Sequence, residues 1–258
     1  MFANRSHVRT TGAEPHPAAA AEEAQQAGNA HVIADRIANS ISLGLLAVGE
    51  RLPPEIELAQ QFGVAVATLR KGLAVLRERG IVVTHRGRSG GSFVVKAPFP
   101  SDAESENRLR SLSVVELRDL RDHSISVGST TARLAAERAW DGALARLREL
   151  ATSVTTAPTA ATAASADSRF HIEVAVLAQS RRLMNAELEL QSELTPLLWA
   201  QSLFGGGGAR SIQEQHLRIV DAIASGDGDA AARAMAEHIS ADAHCVIDAK
   251  LSLEVTSS

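Results

Sequence analysis

Residues 50–96 hold the pattern that most restricts the fold: two short helical periods split by a glycine, then two β-rich runs split by a basic turn. Ile56, Leu58, Ala59 and Phe62 recur near a helical period behind Pro53, Pro54 and Glu55, residue types that open helices. Gly63 follows as a helix stop that needs no Cβ. Val66, Leu69, Leu73 and Leu76 then form a second apolar stripe, with Arg70, Lys71, Arg77 and Arg79 off it. Two short helices around a glycine turn predict a helix-turn-helix, whose second helix fits a DNA major groove. After Gly80 the period becomes that of strands: residues 81–84 lead into the turn HRGRSGG, and residues 92–95 return. The predicted unit is a winged helix. Thr68, Arg70 and Lys71 lie on its recognition helix, and Arg86, Arg88 and Gly90 on its wing.

One winged helix leaves most of the 258 residues to be placed. Apolar residues make up 45% of the chain but aromatic ones only 3%, so the remaining core is built from Ala, Leu, Val and Ile, which suits helices. The expected organisation is a disordered tail over 1–29, the winged helix over 30–96 and a linker over 97–111. An all-helical bundle of six or seven helices follows over 112–252, with a short tail over 253–258. The fold class is therefore mainly α, with one small β-hairpin. Ile33, Ile37 and Ile41 mark the first helix, and Ser113 with Glu116 reads as a capping box. The Thr/Ala-rich stretch 151–166 reads as a loop, residues 186–202 as a helix kinked at Pro196, and Gly205 to Gly208 as a hinge. A net charge of −4 argues against a protein that coats nucleic acid without selection, yet allows a local basic patch. The single Cys245, read as a small buried side chain, excludes an internal disulfide and a cysteine-based zinc cluster. No apolar run reaches the roughly 18 residues of a spanning helix, and no signal segment opens the chain. No membrane partner and a cytoplasmic location are expected.

The helical half carries a second constellation. Asp167 and His171 stand four residues apart, on one face of a helix. His216 and His238 fall mid-helix in the last two helical segments, which the break S-G-D-G-D around Gly226 and Gly228 folds antiparallel. Imidazole nitrogens and a carboxylate oxygen bind divalent metals. Isolated histidines are also commonly solvated or held by a local hydrogen bond, and spacing alone leaves both readings open. Asp242 stands four residues beyond His238, where it can support a ligand from outside. His244 falls on another face, and Trp140 and Trp199 read as packing residues.

The motifs F-G-V-A-V-A-T-L-R-K-G-L-A-V-L-R-E-R-G-I-V and G-R-S-G-G-S-F-V resemble the DNA-binding domain of the GntR family of bacterial transcription regulators. Residues D-S-R-F-H from Asp167, E-Q-H to His216 and E-H-I around His238 resemble the FCD effector domain of its FadR subfamily. The resemblance implies a divalent metal (Zn, Ni or Mn) on Asp167, His171, His216 and His238, at the floor of a small-molecule pocket. It also implies a homodimer on a palindromic double-stranded operator, acting as a repressor under control of a small carboxylate. Ile56, Ala65 and Val66 stand where the family commonly carries Arg, Ser and Arg, so part of its usual base readout is missing. Residues 124–128 lack the Arg and Glu that often line the family's pocket. Arg121 and His123 are the expected replacements. Two alternatives remain: a metal-responsive regulator with no organic effector, and a metal-dependent hydrolase. Against the latter, no separate general base stands out.

Overall fold

The computed structural model describes residues 17–87, 90–199 and 208–255. Within these lie ten helices and one two-stranded antiparallel sheet. The winged helix comprises α1 (Pro17–Ser42), α2 (Glu55–Phe62), α3 (Val66–Glu78), β1 (Val82–His85) and β2 (Gly91–Val94). Its core forms where Ile33, Ile37 and Ile41 of α1 meet Leu69, Leu73 and Leu76 of α3, with Leu52, Val82 and Val94 closing it from the wing side. Each such side chain taken out of water contributes about 1.5–3 kcal/mol. Gly63 ends α2 in the left-handed region at φ 66°, and its N–H returns to the carbonyls of Ala59 and Gln60. Glycine adopts that conformation without the Cβ clash other residues meet. The wing pairs Val82 with Val94 through His85 with Gly91, and Arg51 bridges to Phe93 on the outer edge of β2.

Seven helices form the second body: α4 (Asp102–Ser111), α5 (Val114–Arg138), α6 (Asp141–Thr156), α7 (Ala160–Leu177), α8 (Arg181–Leu198), α9 (Gly208–Ala224) and α10 (Gly228–Val255). The two longest of these, α5 and α10, pack side by side. Gly128 lets them approach: a Cβ there would meet Ile239 Cδ1 at 2.5 Å and Met235 Cγ at 3.2 Å. Ala132, Ala135, Leu147, Phe170, Ile219 and Met235 fill the centre of the bundle. No helix among the described residues is long and apolar enough to cross a membrane.

Several boundaries differ from expectation. Residues 1–16 lie outside the described residues, but 17–29 belong to α1, not to a disordered tail. The expected linker over 97–111 contains α4, fixed by a capping box in which Ser101 accepts from the Glu104 N–H and Glu104 accepts from the Ser101 N–H. The expected box at Ser113 and Glu116 opens α5. The stretch 151–166 is helical on both sides of residues 157–159, because a third box, Thr159 with Thr162, starts α7 immediately after Pro158. Pro196 lies inside α8 near its end, and α10 continues through 253–255. Most of the expected glycine hinge lies outside the described residues, with Gly208 opening α9. Cys245 is exposed, not buried.

The α1–α3 contact sets the stability of the winged helix. A Cβ at Gly72 would meet Ile33 Cγ2 at 3.0 Å and the Ala30 carbonyl oxygen at 3.1 Å. Gly72→Val should therefore destabilise the protein by about 1–3 kcal/mol through overpacking, seen as a lower urea midpoint. An unchanged midpoint would mean that the two helices are not so closely packed.

Candidate metal centre

Helix α7 supplies two neighbouring donors, because Asp167 and His171 are four residues apart and both point into the bundle. His216 arrives from α9 and His238 from α10, both essentially without solvent contact. Four donor atoms, one from each residue, lie within 4.8 Å of one another. His171 Nε2 and His216 Nε2 stand 3.0 and 3.3 Å from His238 Nε2, and Asp167 Oδ1 lies 3.3 Å from His216 Nε2.

The surroundings hold each donor in place. The indole N–H of Trp199 donates to Asp167 Oδ2 at 3.1 Å, which leaves Oδ1 for the centre. His238 Nδ1–H donates to Gln215 Oε1 at 2.6 Å, so its Nε2 faces inward as a lone pair. The His216 ring stacks on Phe170 with centroids 3.8 Å apart. His171 Nδ1 lies 3.8 Å from Glu187 Oε1, which accepts from Gln191 Nε2 at 2.9 Å. Asp242 Oδ2 lies 3.4 Å from His238 Nε2, on the inward-facing nitrogen, while Gln215 holds the outer one where Asp242 was expected.

Asp167 Oδ1 and His216 Nδ1 are buried without a hydrogen bond. A carboxyl oxygen stripped of water and left unpaired is costly, and a dication would supply the missing partner. Burial also lowers the pKa of His171 to about 4, partly offset by Asp167, and that of His216 to about 3. His238 is held well below the usual histidine range by burial and by its two histidine neighbours. Neutral imidazoles are the form that binds metal. Three nitrogens and one carboxylate oxygen fit Zn, Ni or Mn, so the donor set passes the test of chemistry.

A cavity of about 20 Å³ adjoins the cluster, bordered by Arg121 and Ser124 of α5, Glu187 and Gln191 of α8, and Ile239 and Asp242 of α10. That is room for about one water molecule. Arg121 borders this cavity, and its guanidinium pairs with Asp122 at 2.7 Å. His123 is exposed and outside the lining, because two residues beyond Arg121 is roughly half a turn around α5 from the cavity. Trp199, Glu187, Gln215 and Phe170 are residues around the cluster whose part there the sequence did not reveal. On the winged helix, Arg70 and Lys71 are exposed on α3, Thr68 is half-buried, and Arg86 and Gly90 lie in the wing turn. Arg88 lies outside the described residues.

The buried groups give metal-free protein a defined pH response. Below 6.5 the unfolded chain takes protons onto histidines that cannot accept them when folded, so the stability they confer above 6.5 is lost as pH falls towards 4 and 3. Glu187 runs the other way: burial raises it to about 7 from 4.5, so its contribution is lost as pH rises through that window. Asp242 is likewise raised, by burial and by Asp167. Three histidines opposing two carboxyls place the stability maximum near pH 6.5. The urea midpoint of chelated protein should fall on both sides of that value, and a flat profile from about pH 5 to about pH 8 contradicts the burial of these groups.

Sequence comparison places this geometry among known proteins. The family of "Bacterial regulatory proteins, gntR family" matches residues 29–94, and the FCD domain matches residues 119–241. The HTH-type transcriptional regulator named RmpR from Mycobacterium gastri is 46% identical over 230 residues, 89% of this chain and 84% of its own. The Glc operon transcriptional activator of Escherichia coli K12 is 30% identical over 222 residues, covering 81% of this chain and 85% of its own. The solved structure of E. coli McbR/YncC shares the fold at a TM-score of 0.51 and 15% identity, covering 84% of this chain and 96% of that one. The relatives are regulators and not enzymes. With a winged helix at residues 29–94 and an FCD domain at 119–241, this chain belongs to the GntR family of DNA-binding bacterial transcriptional regulators.

Proposed function

We propose that this regulator binds its operator as a homodimer, in a manner set by a divalent metal and a small ligand in the helical domain. The observation that carries this reading is the buried Asp167–His171–His216–His238 cluster beside a cavity. These four side chains hold the metal, which when bound offers a Lewis-acidic position to an oxygen of the ligand. Arg121 supplies a charge complementary to a carboxylate at the cavity wall. The cavity, at about 20 Å³, holds about one water molecule, so an organic acid enters only as its walls move, and α8 supplies most of them.

That displacement has a path to the winged helix. Glu187, Leu190, Gln191 and Leu194 of α8 face the cavity, while Asn185, Leu188, Glu189 and Ser192 face a groove shared with Arg36, Asn39, Ser40, Leu43 and Leu45 of the α1 end. Helix α7 is placed similarly: Asp167 and His171 point to the cluster, and Ser165 Oγ donates to the Ser42 carbonyl at 2.7 Å. A ligand that favours one placement of these helices changes operator affinity only through such differential contacts. Two-fold pairing onto a palindromic site and repression by operator occupancy complete the reading. The small cavity also favours a second reading, in which the metal alone is the signal.

The test has two arms. His216→Ala with His238→Ala should remove a stoichiometric metal measured by elemental analysis, and full retention rejects the ligand set. Arg70→Ala should weaken specific operator binding by about 1–3 kcal/mol, and unchanged affinity removes Arg70 from the base contacts. Titrating metal and then small carboxylates onto the operator complex separates the two readings, since a metal sensor responds before any carboxylate is added.

A further inference from the structure

The leading face of the recognition helix presents little that can donate or accept a hydrogen bond. Ala65, the residue before α3, and Ala67 in its first turn are both exposed, and Val66 is half-buried between them. Helical spacing sets Ala67 one turn before Arg70 and Lys71, on the same exposed face. Across the turn, Glu55 Oε2 accepts from Arg70 Nε at 2.6 Å, which fixes the start of α2 against the middle of α3. Beside Glu55, Ile56 is 64% exposed. A single exposed apolar residue needs no explanation, but here three exposed apolar side chains, Ile56, Ala65 and Ala67, lie at the start of a DNA-reading element, while Val66 packs on the core.

An interface that buries these side chains against bases strips water from whatever they touch. Guanine N7 and O6, adenine N6 and N7, and cytosine N4 would each lose a hydrogen bond against alanine or isoleucine. The thymine C5 methyl is the one major-groove feature of a standard base that gains from such contact. The N-terminal residues of a recognition helix are those that reach base edges. We infer that this regulator selects its operator partly through thymine methyl groups, which Ile56 and Ala67 contact beside the base pair reached by Arg70. The inference rests on the DNA-binding reading of the winged helix and deepens it.

The experiment begins by selecting duplexes from a random library with the full-length protein. Enriched half-sites should carry thymines beside the position whose preference is lost in Arg70→Ala. Replacing those thymines with deoxyuridine removes only the methyls and should weaken binding about fourfold for each methyl buried. Ile56→Ser, at an exposed site, should weaken binding to the thymine duplex by more than it weakens binding to the uridine duplex. Equal affinity for the thymine and uridine duplexes overturns the inference and leaves operator binding intact, as does an Ile56→Ser loss that is the same on both. A library without any enriched sequence instead overturns the operator reading on which it rests.

Discussion

An unpaired, desolvated carboxylate oxygen facing three imidazole nitrogens is the constraint around which the helical domain is arranged. Asp167 Oδ1 has no hydrogen bond, and the nitrogens near it are held neutral by burial. In an apolar interior such a group is expensive unless a cation or donor meets it. Yet the surroundings reinforce the arrangement: Trp199 pins the other carboxylate oxygen, Gln215 orients His238, and Phe170 supports His216. The proposed dication makes that convergence favourable, and it brings α7, α9 and α10 to one point through contacts of high sequence separation.

Helix α7 also meets the DNA-binding domain, from the turn that precedes Asp167. Ser165 lies two residues from Asp167 on α7 and bonds the last residue of α1, while α8 separates the small cavity from the groove beneath α1. Well-packed elements with polar contacts on both sides respond to a change on one side by shifting as a body, since interiors are dense and deform little. In the proposed mechanism the small cavity volume matters for this reason. In that mechanism a ligand that moves α8 also reshapes the groove that α8 shares with the end of α1.

Much of this was legible locally. The α2–glycine–α3 pattern, the change of period after Gly80 and the Ser113–Glu116 box depend on neighbours a few residues apart, and the structure has them. The pairing of Asp167 with His171 was equally local, whereas their meeting with His216 and His238 needed the resemblance. Trp199 and Glu187 gave no signal, because a residue that supports a site from another helix is marked only by the fold. The helix over 160–166 was hidden by its composition: an alanine-rich face such as Ala163 and Ala164 packs well but shows no strong apolar stripe. In the expected linker, Ser101 and Glu104 offered a capping box that outweighs the polar sequence after it. Cys245 and His123 show the opposite failure, since residue type suggested burial or a site and helical phase turned each outward.

X-ray absorption on protein loaded with zinc tests the central claim most directly. The account predicts one zinc per chain with three imidazole nitrogens near 2.0–2.1 Å and a carboxylate oxygen at about 2.0–2.2 Å, and one fewer imidazole in His238→Ala. A zinc environment dominated by water, or the same spectrum in His238→Ala, would contradict it.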